Sequence, residues 1–134
     1  MLLSAVLRKT TTFVTALILP LAAVGQNAQL SLKHGIYVAS PYPCKGAPNA
    51  GILQWDGVGF SGAHSSRCTT RILSHAGNRY ELSTTCSAMG DGSPDTSGYV
   101  DLRSLTRTST TAFIMQAPHQ DQQAFRWCSV KNVD

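Results

Sequence analysis

Between Gly59 and His64 the chain reads Gly-Phe-Ser-Gly-Ala-His, which places a serine close to a histidine among glycines. The chemistry that would use such a pair is acyl transfer by a serine hydroxyl activated by an imidazole base. The pattern departs from the Gly-x-Ser-x-Gly nucleophile elbow, because Ala63 stands where the second glycine belongs. That elbow also needs a strand-to-helix turn, which an all-β chain does not provide. A second stretch, Asp91-Gly-Ser-Pro-Asp95, spaces oxygen-bearing side chains at alternate residues, as in the opening of a calcium loop. There, however, Thr96 takes the place of the turn glycine and Leu102 that of the bidentate glutamate. His34, His64, His75 and His119 lack the i, i+2 or i, i+4 spacing that aims two imidazoles at one metal. The acids available for a glycosidase pair are Asp56, Glu81, Asp91, Asp95, Asp101 and Asp121, several of them better read as turn residues. Arg103, Arg107, Arg126 and Lys131, with Trp55 and Trp127, are not interleaved as a nucleic-acid platform would require. The chain is therefore read as non-catalytic, with no metal, no cofactor and no nucleic-acid partner.

The chemistry the sequence does specify is disulfide formation. Cys44, Cys68, Cys86 and Cys128 form an even set with no Cys-x-x-Cys knuckle, which in an exported chain reads as two bridges rather than a zinc site. Cys68 and Cys86 bracket two β-prone runs around Ala76-Gly77-Asn78, residues suited to a tight hairpin loop. With a three-residue loop, paired positions sum to 154 and Cys68 lies opposite Cys86. Alternation then puts Cys68, Thr70, Ile72, Tyr80, Leu82, Thr84 and Cys86 on one face, the expected core face. On the other face Arg71 and Glu81 are expected to attract one another diagonally. The register favours Cys68–Cys86 and Cys44–Cys128. The pairing Cys44–Cys68 with Cys86–Cys128 is the alternative.

The compartment is read from the first residues. Arg8 and Lys9, the apolar run from Thr12 to Leu21, and the small residues Ala23-Val24-Gly25 have the layout of a secretory signal over residues 1–25. The apolar run is shorter than the ~20 residues that span a bilayer, and no second one follows, so stable membrane insertion is not expected. The remaining 26–134 form one domain. Without Arg8 and Lys9, the 11 basic residues become 9 against 7 acidic ones, a net charge of +2 that steers toward no strongly charged partner.

Along that domain, Gln26–Lys33 is a polar lead-in and His34–Ala39 a first strand. Ser40–Asn49, with three prolines, is an extended loop. Ala50–Trp55 and Val58–Ser61 make a short hairpin about Asp56-Gly57, and the Cys68–Cys86 hairpin follows. Ser87–Gly98 is the longest turn-rich loop. Tyr99–Leu105 alternates, with Tyr99, Asp101, Arg103 and Leu105 on one face; Thr108–Met115 and Ala124–Val130 close the chain as strands. Seven or eight short strands with regularly spaced turns predict an all-β domain. A small antiparallel barrel is the expected form and a β-sandwich the alternative.

The combination of Gly35-Ile-Tyr-Val38, Pro43-Cys44, Ala47-Pro-Asn-Ala50, Trp55-Asp-Gly57, Phe60-Ser61, Cys68, Tyr80, Cys86 and Trp127-Cys128 resembles small exported four-cysteine proteins of Gram-negative bacteria. The resemblance implies a periplasmic or secreted β domain and carries no site residue. In size and architecture the chain is more distantly similar to periplasmic inhibitors of lysozymes or proteases, an analogy of fold. The expected function is non-catalytic binding, as an inhibitor of an extracytoplasmic enzyme, through the loops Ser40–Asn49 and Ser87–Gly98. Tyr42, Lys45, Asp91 and Asp95 are its candidate contacts. The alternative is a small-ligand carrier with a cavity in the barrel, which needs the inward set around Ile72, Tyr80 and Leu82 to leave a void. A small hydrolase built on His64 with Ser61 or Asp56 is the third reading. The partner, whether protein or small ligand, is not named by the residues.

Overall fold

A computed structural model describes residues 29–133; the expected signal segment 1–25 lies outside them. The chain forms eight strands: β1 (Gly35–Ala39), β2 (Ile52–Trp55), β3 (Phe60–Ser61), β4 (Ser65–Ala76), β5 (Arg79–Met89), β6 (Val100–Ser109), β7 (Ala112–Gln116) and β8 (Gln123–Cys128). They lie in the order β3-β2-β1-β8-β7-β6-β5-β4, and every pair is antiparallel. Each strand thus neighbours those next to it in sequence, and the first and last strands pair with each other. The result is an up-and-down meander that curls into a nearly closed barrel.

The β3–β4 seam completes the curl with few bonds. The Thr70 amide donates to the Val58 carbonyl (2.9 Å), and the Phe60 amide donates to Thr70 Oγ1 (3.1 Å). Thr70 Oγ1 also lies 2.8 Å from Thr84 Oγ1 on β5. A side chain here does what a backbone ladder does elsewhere. The two strands approach so closely at Gly59 that a Cβ there would fall on the Cys68 carbonyl.

Both bridges form as the hairpin register favours, Cys68–Cys86 and Cys44–Cys128, and are consistent with an oxidising, extracytoplasmic setting. Among the described residues no helix is long and apolar enough to cross a membrane. The pairing from Cys68↔Cys86 to Ile72↔Leu82 has the expected register. The turn itself differs. A bulge between Ile72 and Ser74 shifts the register, so that Ala76 pairs with Arg79 across a two-residue Gly77-Asn78 loop with Gly77 at φ +58°. Glu81 pairs with Arg79 (3.4 Å) rather than Arg71, because both side chains lie on one strand two residues apart. The run Thr108–Met115 is not one strand: β6 continues to Ser109, the chain turns at Thr110-Thr111, and β7 begins at Ala112.

Inward side chains fill the barrel unevenly. Tyr37 and Phe113 sit 5.0 Å apart between ring centroids, Phe60 packs tilted against Phe113 at 5.5 Å, and Phe125 stacks on Phe113 at 5.2 Å. Tyr80, Leu82, Leu105 and Met115 complete this layer. The lead-in is part of the same core, contrary to its polar appearance. Leu30 and Leu32 are 3% and 7% exposed, and the segment is held by the Lys33 amide donating to the Thr110 carbonyl (2.7 Å). The Tyr37 hydroxyl donates to the Lys33 carbonyl at 2.7 Å. Two leucines at alternate positions are enough to cap the barrel end at which β1 begins and β8 finishes.

The Ser40–Asn49 loop folds back as a strap over the outer face of β1 and β8. The Ser40 amide donates to the Ala124 carbonyl (2.8 Å) and Arg126 Nη2 to the Tyr42 carbonyl (2.7 Å), while Cys44 bonds to Cys128. Val38 and Cys128, outward by alternation, are buried there.

Candidate functional site

One barrel end is capped by Leu30 and Leu32; the other opens into a cavity of about 330 Å³. Its position follows from the register. Along β5 the inward residues run Tyr80, Leu82, Thr84, Cys86, and along β6 they run Leu105, Arg103, Asp101 in the opposite chain direction. Tyr80 lies opposite Leu105, Leu82 opposite Arg103, and Thr84 opposite Asp101. Moving toward the open end, the inward side chains therefore change from aromatic and aliphatic to polar. Large residues stop at Leu82, Met115, Phe125 and Phe60, which form an apolar floor. Above it the wall is Thr84, Cys86 and the Asp101–Arg103 pair. His64, Asp95 and Tyr99 stand at the rim.

The Asp101–Arg103 pair is the main polar feature of this wall. Arg103 Nε donates to Asp101 Oδ2 at 2.8 Å, with the two side chains 36% and 30% exposed. Arg103 Nη1 lies 3.8 Å from the weakly accepting Met115 Sδ, which tethers the guanidinium above the floor. Both residues line the cavity, and of the five N–H donors of the guanidinium the bond to Asp101 uses one.

The candidate contacts named from sequence fall in two separate places. Tyr42 and Lys45 are exposed on the outer strap, where the Tyr42 ring lies against Gly51; neither lines the cavity. Asp91 and Asp95 lie on the loop after β5, which folds back on itself through the Met89 amide to the Ser93 carbonyl and the Asp95 amide to the Ser87 carbonyl. Only Asp95 reaches the cavity rim. Each of these acids caps its own turn. Asp91 Oδ1 accepts from Ser93 Oγ and N (2.6 and 2.9 Å), which lowers its pKa, and Asp95 Oδ1 accepts from the Ser97 amide (2.9 Å), which lowers its pKa likewise. Among the described residues no group of three or more His, Cys, Asp or Glu gathers at a metal-binding distance.

Among the described residues no hydrogen bond joins Ser61, His64 and Asp56 of the hydrolase reading to one another. Asp56 Oδ1 accepts from the Val58 and Gly59 amides, each at 2.8 Å, and so shapes the β2–β3 turn near the capped end. These amide bonds, Gly59's first, hold its carboxyl below the usual range. His64 belongs to the open end. The tryptophans are likewise structural: Trp55 packs on Phe60 at 4.6 Å, and Lys33 Nζ sits 3.5 Å above the Trp127 ring.

The sequence offers Asp101 only as a glycosidase acid, Arg103 only as part of a basic set and Thr84 only as a core-face residue, although the alternation of Tyr99–Leu105 already places Asp101 and Arg103 together on the face of Leu105. Comparison with family models, with curated proteins and with solved structures finds no match.

Proposed function

We propose that this chain is a non-catalytic binding domain of the periplasm or the extracellular space, and that it binds a small ligand in the open end of its barrel. The supporting observation is the make-up of the open end, which keeps a cavity of about 330 Å³ with an apolar floor and a polar wall, whereas the groove of about 460 Å³ beside Leu30 and Leu32 at the other end is more open to solvent. An eight-stranded barrel is just wide enough either to fill with side chains or to hold one small ligand, and here each half does one of the two. The volume falls at the lower end of the ~300–1,000 Å³ usual for ligand sites. By comparison, a dry cavity of about 150 Å³ accepts benzene, so the occupant has roughly ten to twelve non-hydrogen atoms.

The test is titration calorimetry of the oxidised protein with eight- to ten-carbon amphiphiles, beside Ala63→Trp. Ala63 is an exposed rim residue, so an indole there obstructs the mouth without entering the core. The expected result is saturable binding that the substitution abolishes. Binding unaffected by Ala63→Trp, or no binding at all, overturns the reading.

A second reading, inhibition of an extracytoplasmic enzyme, draws on one observation. Tyr99 is 71% exposed at the rim of the cavity. Aromatic anchors of this kind are common interface hot spots. Capture of an envelope enzyme by the oxidised protein, lost in Tyr99→Ala, supports it; capture that survives Tyr99→Ala removes that face from the reading.

A further inference from the structure

Taking the open barrel end as a ligand site, we infer that it selects an uncharged amphiphile whose head group donates and accepts hydrogen bonds side by side, a primary carboxamide on a short apolar body. This rests on the reading above and adds the chemical class of the ligand.

The apolar floor accounts for the body of the ligand. The head group meets the wall just above it, where Arg103 and Asp101 both line the cavity; Arg103 Nε donates to Asp101 Oδ2 at 2.8 Å, and the guanidinium NH₂ groups and Asp101 Oδ1 are the further donors and acceptor of the pair. A carboxamide is complementary to that pair, its oxygen accepting from Arg103 while its NH₂ donates to Asp101. Both protein groups then gain a partner without breaking the bond between them.

Charge decides against the ionic alternatives. Arg103 and Asp101 cancel, and Asp95 at the rim, held ionised by the Ser97 amide, leaves the mouth with an excess of one negative charge. A carboxylate ligand would meet this excess and compete with Asp101 for the guanidinium. An ammonium ligand would be drawn by the carboxylates but would have to sit against Arg103, fixed at the floor by its contact with Met115. A purely apolar ligand would cover the pair without satisfying it, and buried polar groups left without partners cost affinity.

The experiment measures octanamide, octanoate and octylammonium, matched in length, against the oxidised protein by titration calorimetry, together with Asp101→Asn and Arg103→Met. Octanamide is expected to bind at least tenfold more tightly than either ion, a margin of 1.4 kcal/mol. Arg103→Met keeps an unbranched side chain over the floor but leaves Asp101 and Asp95 uncompensated, so it should reverse the order in favour of octylammonium and weaken octanoate further. Asp101→Asn leaves the guanidinium uncompensated and should reverse the order in favour of octanoate. Near-ultraviolet circular dichroism of each variant verifies the folded barrel. If one variant does not fold, the wild-type order and the other variant decide. Equal or tighter binding of either ion to the wild-type protein, or an unchanged order in a folded Asp101→Asn, overturns the carboxamide assignment and leaves the ligand-site reading standing. Absence of binding by all three compounds overturns both.

Discussion

Removal of the two disulfides one at a time should cost unequal amounts, and the larger loss should come from the bridge that joins the ends of the domain. Cys44–Cys128 spans a sequence separation of 84 and Cys68–Cys86 one of 18. Loop-closure entropy assigns these bridges about 4.6 and about 3.2 kcal/mol at 25 °C, a difference of about 1.4 kcal/mol that depends only on the ratio of loop lengths. The cavity contribution of replacing sulfur by hydrogen largely cancels, because Cys128 and Cys68 are both deeply buried, at 2% and 4% exposure. The pairs Cys44→Ala with Cys128→Ala, and Cys68→Ala with Cys86→Ala, can be compared by urea unfolding followed by tryptophan fluorescence. With slopes of about 1–3 kcal/mol/M, the Cys44/Cys128 variant should unfold at a midpoint about 0.5–1.4 M lower than its counterpart. The slope should increase in both as the unfolded chain expands. Loss of Cys44–Cys128 also frees the strap over Val38, which acts in the same direction. Equal midpoints, or a lower one for the Cys68/Cys86 variant, would refute the loop-length reasoning and place the weight on the β4–β5 hairpin.

Tyr37→Phe should cost about 1 kcal/mol by removing the hydroxyl bond to the Lys33 carbonyl, which ties the capping lead-in to β1. It should also flatten the alkaline limb of stability. Burial pushes the Tyr37 phenol up to about 12, above its ordinary value of 10, so its contribution is complete below pH 10 and is lost as pH rises toward 12. The shift corresponds to at most about 3 kcal/mol. Urea midpoints at pH 8, 10 and 11.5 report it, and parallel slopes for the two proteins would contradict it. Gly59→Ala should destabilise by about 1–3 kcal/mol or more, because the added Cβ meets the Cys68 backbone and the seam must part. Amide exchange would then quicken at Phe60 and Thr70, whose N–H groups bridge the seam. Full protection of both amides in a stable variant would show that the seam is not where the barrel closes.

The sequence by itself determined the architecture and the covalent frame. Hairpin alternation around Ala76-Gly77-Asn78 favoured Cys68 opposite Cys86 over the alternative pairing, which left the other two cysteines to join the ends, and both bridges form so. The spacing of turns was sufficient for seven or eight strands, since hairpin neighbours need only local pairing. Misplaced details have two causes. The bulge at Leu73 and the turn that splits Thr108–Met115 at Thr110-Thr111 are decided by how strands must bend and end to follow a barrel wall, while the preference of Glu81 for Arg79 is set by their two-residue spacing on one strand.

The tertiary structure alone decided which end of the barrel is closed. Leu30 and Leu32 in a polar lead-in become a cap only because β1 and β8 pair and leave an apolar opening beneath them. The same closure turns the alternation of Asp101, Arg103 and Leu105 into depth. Leu105 reaches the filled layer, Arg103 the wall just above the apolar floor and Asp101 the wall nearer the mouth, each by its register on β5. Tyr42 and Lys45 were conspicuous in a proline-rich loop, yet that loop is a strap drawn onto the outer wall by Cys44. Residues far apart in sequence share a cavity by strand order and register, and no single segment records that combination.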